Sequence, residues 1–416
     1  MSTPLIPPCA HAARVTTTAE LNAAVAAANQ GGDLEIVLAA GTYDLTQTLY
    51  IAAAGVTVRG ESGRRDDVVL RGAGMTGGIP HVFGIQAADV TVRDLTLGWV
   101  ANHGVQVHGE LDADRPLLSN LHIVDTFEQM VKVSYRAGDP VSADGGVLED
   151  SLLEYAAGIG PQWYIGGIDA HQAHGWTVRR NVFRGIRSPA DALAEHAVHF
   201  WSEGSDTLVE RNLIVNCDRG IGFGLGDRGH AGGVIRNNMI YHDASEGFAD
   251  VGIGLESAPG AAVLNNTIIF ENSYPNAIEY RFASTTGVAV TNNLTNRAIA
   301  ARDGASASLE SNLVAAELVW FTAPAAGDLH LAVAAPEVVD RGAALPDLVD
   351  DFDGESRPAG NGVDIGADEV AGSDVAISWP AALAALLGLG APVAGWPRRW
   401  PRRLRRARAG KRRARP

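Results

Sequence analysis

The chain has 416 residues, 19% of them charged, with 48 glycines and a formal net charge of −15. That length holds two or three ordinary domains or one solenoid, and the composition excludes a protein of long solvated helices. Ten Arg, one Lys and no acid lie in residues 398–416, and setting these 11 aside leaves 22 basic against 48 acidic groups, a body of about −26 that excludes non-specific nucleic-acid binding.

Residues 1–16 hold Pro4, Pro7 and Pro8 and no apolar run of signal-peptide length. They read as a disordered N-terminus, so that either export is absent or the recorded start is not the true one. Cys9 and Cys217 are too few for a disulfide framework, and thiol–metal clusters are excluded. Thr17 to Glu20 fits a capping box, after which Leu21, Ala24, Val25 and Ala28 make one apolar helix face that Gly31 and Gly32 end. The stretch 34–51 alternates as strands. Residues 17–55 are thus expected to cap the open apolar end of the coils that begin at residue 56, as a solenoid requires.

A repeat then runs through residues 56–316. Its unit carries an apolar residue, a small polar residue that is usually Asn, and further apolar residues. It appears as VRDLTL (92–97), LSNLHI (118–123), LEDSLL (148–153), VRRNVF (178–183) and VERNLI (209–214). It continues as IRNNMI (235–240), VLNNTI (263–268), VTNNLT (290–295) and LESNLV (309–314). Such short strands returning at near-constant intervals predict an all-β fold, a parallel β-helix of about ten coils. Asn181, Asn212, Asn238, Asn266, Asn293 and Asn312 share one column. Asn tolerates unusual backbone angles, and amides stacked at the strand spacing can bond along the column, so this column reads as a structural turn ladder.

Residues 317–370 are acidic and loop-rich. Asp351, Asp353 and Glu355 hint at calcium but lack the third spaced carboxylate of a full loop motif. The segment 375–396 is a 22-residue uncharged run, long enough to cross a bilayer, with the basic cluster behind it. Residues 371–397 are therefore expected to be a membrane anchor and residues 398–416 a basic cytoplasmic tail. The alternative is a disordered basic tail that binds acidic surfaces.

The coils over residues 34–316 resemble the right-handed parallel β-helix repeat proteins of the pectate-lyase-like superfamily, and GTYDLTQTLYIAAAGVTVRG is similar to the start of that fold. DLHLAVAAPEVVDRG together with DFDGESRPAGNGVDIGADE resembles the choice-of-anchor Q region. That resemblance implies a bacterial cell-surface protein held by its C-terminus, from which the lack of a visible signal peptide departs; the chain is expected to be a monomer.

Between the repeat units lies a second set of tetrapeptides: VQVH (105–108), VKVS (131–134), IDAH (168–171), VHFW (198–201), IGFG (221–224), IGLE (253–256) and IEYR (278–281). First and third residues should point inward, second and fourth outward from one flat parallel sheet. The outward columns read Gln106, Lys132, Asp169, His199, Gly222, Gly254, Glu279 and His108, Ser134, His171, Trp201, Gly224, Glu256, Arg281. Gly222, Gly224 and Gly254 would leave bare backbone on which a ligand can lie, with Trp201 placed to stack on a sugar ring. Superfamily members commonly bind polysaccharide along this sheet, so the resemblance implies the same partner.

Three chemistries fit these columns. β-Elimination of a uronic acid polymer needs a cation, Lys132 or Arg281, and a base, His171 or His199. EQMVKVS (128–134) faintly resembles a strand of alginate and chondroitin lyases, in a different register. Glycoside hydrolysis needs two carboxyls; Asp169 and Glu256 are too far apart, whereas Glu256 and Glu279 stand on adjacent coils. Asp169, His171 and His199 would make a two-His, one-carboxylate metal set, but stacked His and Asp more often bond each other, and no metal is assigned. His122 and His242 read as solvated or capping residues. Arg228 and His230 lie in a glycine-rich loop that either closes over a ligand or is a plain turn. The expected function is polysaccharide binding, with lyase or hydrolase activity. The rival is a non-catalytic surface adhesin or spacer.

Overall fold

The computed structural model describes residues 12–189, 192–245, 249–332 and 335–370. Ten strands form one parallel sheet, each successive strand one coil further along the chain. They run from Leu49–Ile51, His81–Ile85 and His103–His108 through Val131–Ser134, Ile168–His171, His196–Trp201 and Arg219–Phe223 to Ile253–Glu256, Asn276–Arg281 and Ala298–Arg302. Twenty further strands pair in a second sheet, and Gly204–Ser205 pairs in parallel with His230–Ala231 apart from both. The fold is therefore an all-β parallel solenoid of about ten turns. Its core is a continuous column of inward side chains, among them Val105, Val133, Ile168, Phe200, Ile221 and Leu255.

Helix Thr18–Ala28 closes the first coil, with Leu21, Val25 and Ala28 buried and the Thr17–Glu20 capping box formed in both directions. The N-terminus differs from the sequence reading. Ala12–Val15 is a strand paired in parallel with Glu35–Leu38. The prolines stop at Pro8, so nothing bars Ala12–Val15 from the ladder, and Arg14 ties it to Glu61 at 2.7 Å.

The asparagine column forms a buried ladder. Asn181, Asn212, Asn238 and Asn266 each donate Nδ2 to the Oδ1 of the next, at 3.0, 3.0, 2.9 and 3.0 Å. Asn293 continues to Asn312 at 2.9 Å. Each backbone N–H also donates to the next Oδ1, as Asn212 N does to Asn238 at 3.0 Å. The unusual backbone angle falls one residue earlier than expected. Arg180, Arg211, Asn237, Asn265, Asn292 and Ser311 take positive φ, between 48° and 58°. The column Asn thus supplies the side-chain bonds, and its predecessor makes the bend.

Residues 317–370 lie against these bends. Asn237, Asn265 and Asn292 donate Nδ2 to the carbonyls of Asp350 (2.9 Å), Asp364 (3.0 Å) and Ala343 (2.9 Å). Asp351 is wholly buried. Its Oδ1 accepts from the backbone N–H groups of Asp353, Gly354 and Glu355 and its Oδ2 from Glu369 N, so the carboxylate named for calcium is committed to backbone on both oxygens. The anchor and tail expected over 371–416 lie outside the described residues, among which no helix is long and apolar enough to cross a membrane.

His330 carries a pH-dependent part of this region's stability. Its Nδ1 lies 2.6 Å from Asp328 and its Nε2 2.8 Å from Asp353. Burial works against its charge, but the two carboxylates outweigh burial and hold the imidazole up to about 10. A folded value raised above the ordinary 6.5 gives stability that is complete below 6.5 and lost as pH rises through about 10. Burial lifts Asp368 to about 7, so its share is lost earlier, between 3.8 and about 7. The unfolding free energy should fall above neutral pH by up to about 1.4 kcal/mol per pH unit. Denaturant titrations near neutral pH and near the raised value should show this slope, and His330→Gln should flatten it.

Candidate functional site

The outward columns stand in the register expected from the tetrapeptides. Lys132 pairs with Asp169, Asp169 with His199, His199 with Gly222, Gly222 with Gly254 and Gly254 with Glu279. On the neighbouring column His171 pairs with Trp201 and Glu256 with Arg281.

Lys132, Asp169, His171, His199 and Trp201 form one cluster. The Lys132 ammonium donates to Asp169 Oδ2 and lies 2.9 Å from His171 Nε2. An ammonium only donates, so Nε2 accepts from Lys132, while Nδ1 lies 3.0 Å from Ser202 Oγ and 3.3 Å from Arg228 Nη2. Trp201 Nε1 donates to Asp169 Oδ1 at 2.7 Å. His199 Nε2 donates to the Gly224 carbonyl at 3.2 Å.

Burial lowers the His171 imidazole to about 3, with Asp169 opposing and Lys132 and Arg228 reinforcing, so the ring is neutral at working pH. Burial also opposes the Asp169 charge, but Lys132, His199 and His171 outweigh it and bring the carboxyl down to about 2. Burial of Lys132 is likewise outweighed by Asp169, which leaves the ammonium above its ordinary value. The cluster therefore holds a cation, an anion and two neutral imidazoles.

Two sequence readings are corrected here. Trp201 is not open to a sugar ring. His199 stacks on it at 5.0 Å between centroids, and the Arg228 guanidinium lies 3.9 Å over the ring. Nor do the glycines leave a bare strip. A Cβ on Gly222 would sit 2.7 Å from His196 Nε2, so Gly222 makes room for that imidazole. Gly224 has φ +76° and abuts the Glu256 carbonyl, so it serves a tight bend. Gly254 is also covered: a Cβ there would sit 3.1 Å from Val251 Cγ1 and 3.8 Å from His196 Nε2.

Arg228 roofs the cluster. It donates to Ser202 Oγ at 2.6 Å and to Tyr135 Oη at 2.7 Å, and the Tyr135 ring stacks on His171 at 4.8 Å. Lys132 and His171 keep 9% and 8% exposure under this roof, against 2% for Asp169 and none for His199, so the first two form the accessible edge. The metal set of Asp169, His171 and His199 does not form, because both nitrogens of His171 are engaged.

Beyond His199 the sheet opens into a pocket of about 330 Å³, lined by His196, Gly224, Gly254, Glu256, Glu279 and Arg281, with Arg219, Asp250, Tyr274 and Arg302. Glu256 accepts from Arg281 at 3.0 Å and from Gly226 N at 2.6 Å. Glu279 accepts from Tyr274 Oη and Asn276 Nδ2, each at 2.6 Å, and from Arg302 at 2.7 Å. His230 is structural, stacked on Phe223 at 4.1 Å. His122 is 3.0 Å from Glu154, and His242 Nδ1 is 2.8 Å from the Asp243 carbonyl.

The tetrapeptide alignment missed Tyr135, Ser202 and His196. The first two lie one residue beyond their tetrapeptides, and His196 lies two residues before its own. The stretch EHAVHF (195–200) was the available signal, with two His three apart beside an acid.

No family model and no curated protein matches the chain. Solved structures do. The pectate lyase Pel9A matches 80% of this chain and 87% of its own, at 14% identity and a TM-score of 0.57. An alginate lyase from Paenibacillus sp. str. FPU-7 matches 72% of this chain and 97% of its own, at 17% identity and a TM-score of 0.43. The mannuronan C-5 epimerase AlgE6 A-module of Azotobacter vinelandii matches 71% of this chain and 88% of its own, at 15% identity and a TM-score of 0.42. The first of these shows a shared parallel β-solenoid fold.

Proposed function

We propose that the chain cleaves an acidic polysaccharide by β-elimination along the ten-stranded sheet. The observation that carries this reading is the Lys132–His171 pair: a cation and a neutral ring nitrogen share the accessible edge of a buried cluster, under a second cation, Arg228. A uronate carboxylate entering there competes with Ser202 and Tyr135 for Arg228 and with His171 for Lys132. Drawing the ammonium toward the substrate frees the Nε2 lone pair. His171 then takes the proton from the carbon next to the carboxylate while the two cations hold the charge that develops; the electron pair left on that carbon becomes the new carbon–carbon double bond as the bond to the leaving oxygen breaks, and that oxygen takes up a proton from water. Asp169 keeps Lys132 charged and in place. The name of the solved structure that shares the fold, a pectate lyase, agrees with this substrate class.

Hydrolysis is less well supported. Asp169, lowered to about 2, holds no proton to donate, and it stands about 14 Å from Glu256, three strands away. Glu256 and Glu279 are each committed to an arginine. A non-catalytic surface spacer is the second reading, favoured by the Arg228 roof. A surface setting, anchored through residues 371–397, belongs to both.

The test is to incubate the chain with acidic and neutral polysaccharides and measure the absorbance of unsaturated uronates. Reducing ends without that absorbance would turn the reading to hydrolysis. Neither product nor binding with any polymer would leave the spacer.

A further inference from the structure

The geometry points to a divalent transition-metal site formed by Glu195, His196 and His199, beside the Lys132–His171 pair and distinct from it. One ligand atom from each residue lies within 4.8 Å of the other two. The tautomer of His199 is fixed by its neighbour. Its Nε2 donates to the Gly224 carbonyl, so Nδ1 carries the lone pair, and that nitrogen is buried without a partner. His196 Nδ1 is also buried without a partner. A buried imidazole nitrogen without a hydrogen-bond partner, 3.9 Å from Glu195 and 3.7 Å from the Asp169 carboxylate that Lys132 and Trp201 already hold, beside a second imidazole with an unpartnered nitrogen, is a costly arrangement unless an ion fills it.

The surroundings fit a held site. An imidazole whose far nitrogen bonds a backbone carbonyl is the usual orientation of a metal ligand. Trp201 packs on one side of His199, and Gly222, lacking a Cβ, seats the His196 ring. Two nitrogens and one carboxylate suit zinc, whose ligand atoms would stand about 3.4 Å apart around bonds of about 2.1 Å. Rotation of the part-exposed Glu195 side chain can close that difference. Three protein ligands leave a fourth position, and His196 also lines the open pocket, so that position borders the pocket. The site stands whether or not the lyase reading does, because neither Lys132 nor His171 is a ligand.

The test uses the tag-free full chain, stripped with chelator and titrated with zinc by calorimetry and with cobalt by visible absorption. One equivalent should bind, and zinc should raise the unfolding temperature. Glu195→Gln and His196→Gln should each raise the zinc Kd by roughly tenfold or more, with metal-free unfolding confirming that both are folded. His171→Gln should bind zinc as the unaltered chain does. No stoichiometric uptake, unchanged affinity in both Glu195→Gln and His196→Gln, or a loss confined to His171→Gln would overturn the assignment.

Discussion

Lys132→Met is expected to lower kcat/KM on any polyuronate the chain cleaves by roughly 10²–10⁴-fold. The substitution removes the cation that faces the substrate and releases His171 Nε2 from its donor at 2.9 Å. It also leaves the Asp169 carboxylate, 2% exposed, without its ammonium partner, and breaking a buried pair from one side costs about 3–5 kcal/mol. Loss of turnover alone would therefore not separate chemistry from folding. The double variant Lys132→Met with Asp169→Asn separates them. It removes the orphaned charge, so much of the lost stability should return while turnover stays low. Unfolding midpoints and initial rates on these two variants and the unaltered chain decide the matter. Activity that recovers together with stability would reduce Lys132 to a packing residue and remove the cation from the proposed step.

The two kinds of column were not equally legible. Inward and outward alternation is dictated by the pleat. Once seven tetrapeptides align, the pairing of Lys132 with Asp169 and of Asp169 with His199 is set, because a slip of one residue would turn Val131 and Ile168 out of the core. The asparagine ladder was legible for the same reason: a buried amide must find partners, and the next coil supplies the same amide. The doublets at 237–238, 265–266 and 292–293 held a further signal. The second Asn enters the ladder and the first bonds residues 335–370.

What could not be read were contacts made by residues off the strands. Arg228 lies on a loop whose path no periodicity sets, yet it covers Trp201. His196 precedes its tetrapeptide but turns over Gly222, so the glycine that resembled a ligand floor seats an imidazole. The single tetrapeptide column cannot tell a glycine emptied for a ligand from one emptied for a neighbour.

Arg357→Met is expected to destabilise the chain by about 3–5 kcal/mol, the largest effect on folding among single changes outside the sheet. Arg357 and Glu369 are both fully buried and meet at 2.6 Å. The guanidinium also donates to the carbonyls of Gly366 (2.8 Å) and Asp350 (3.1 Å). Glu369 accepts from Ala359 N and Asp364 N, each at 3.0 Å. Removing Arg357 strands a buried carboxylate and takes one donor from each of two carbonyls, which keep only Asn237 Nδ2 (2.9 Å, to Asp350) and Asn265 Nδ2 (3.2 Å, to Gly366). Those carbonyls belong to the segments that reach the coils, since Gly366 N donates to the Asn292 carbonyl and Ala367 N to Thr267 Oγ1, each at 2.8 Å. The damage should therefore spread to the bends at Asn265 and Asn292 and leave the coils around Lys132 intact. Hydrogen exchange should accelerate over residues 335–370 and at those bends, with little change over Val131–Ser134. Arg357→Met with Glu369→Leu should recover much of the loss, because an apolar pair of similar size owes no charge to the interior. Uniform acceleration through every coil would mean that the C-terminal region and the solenoid unfold as one unit.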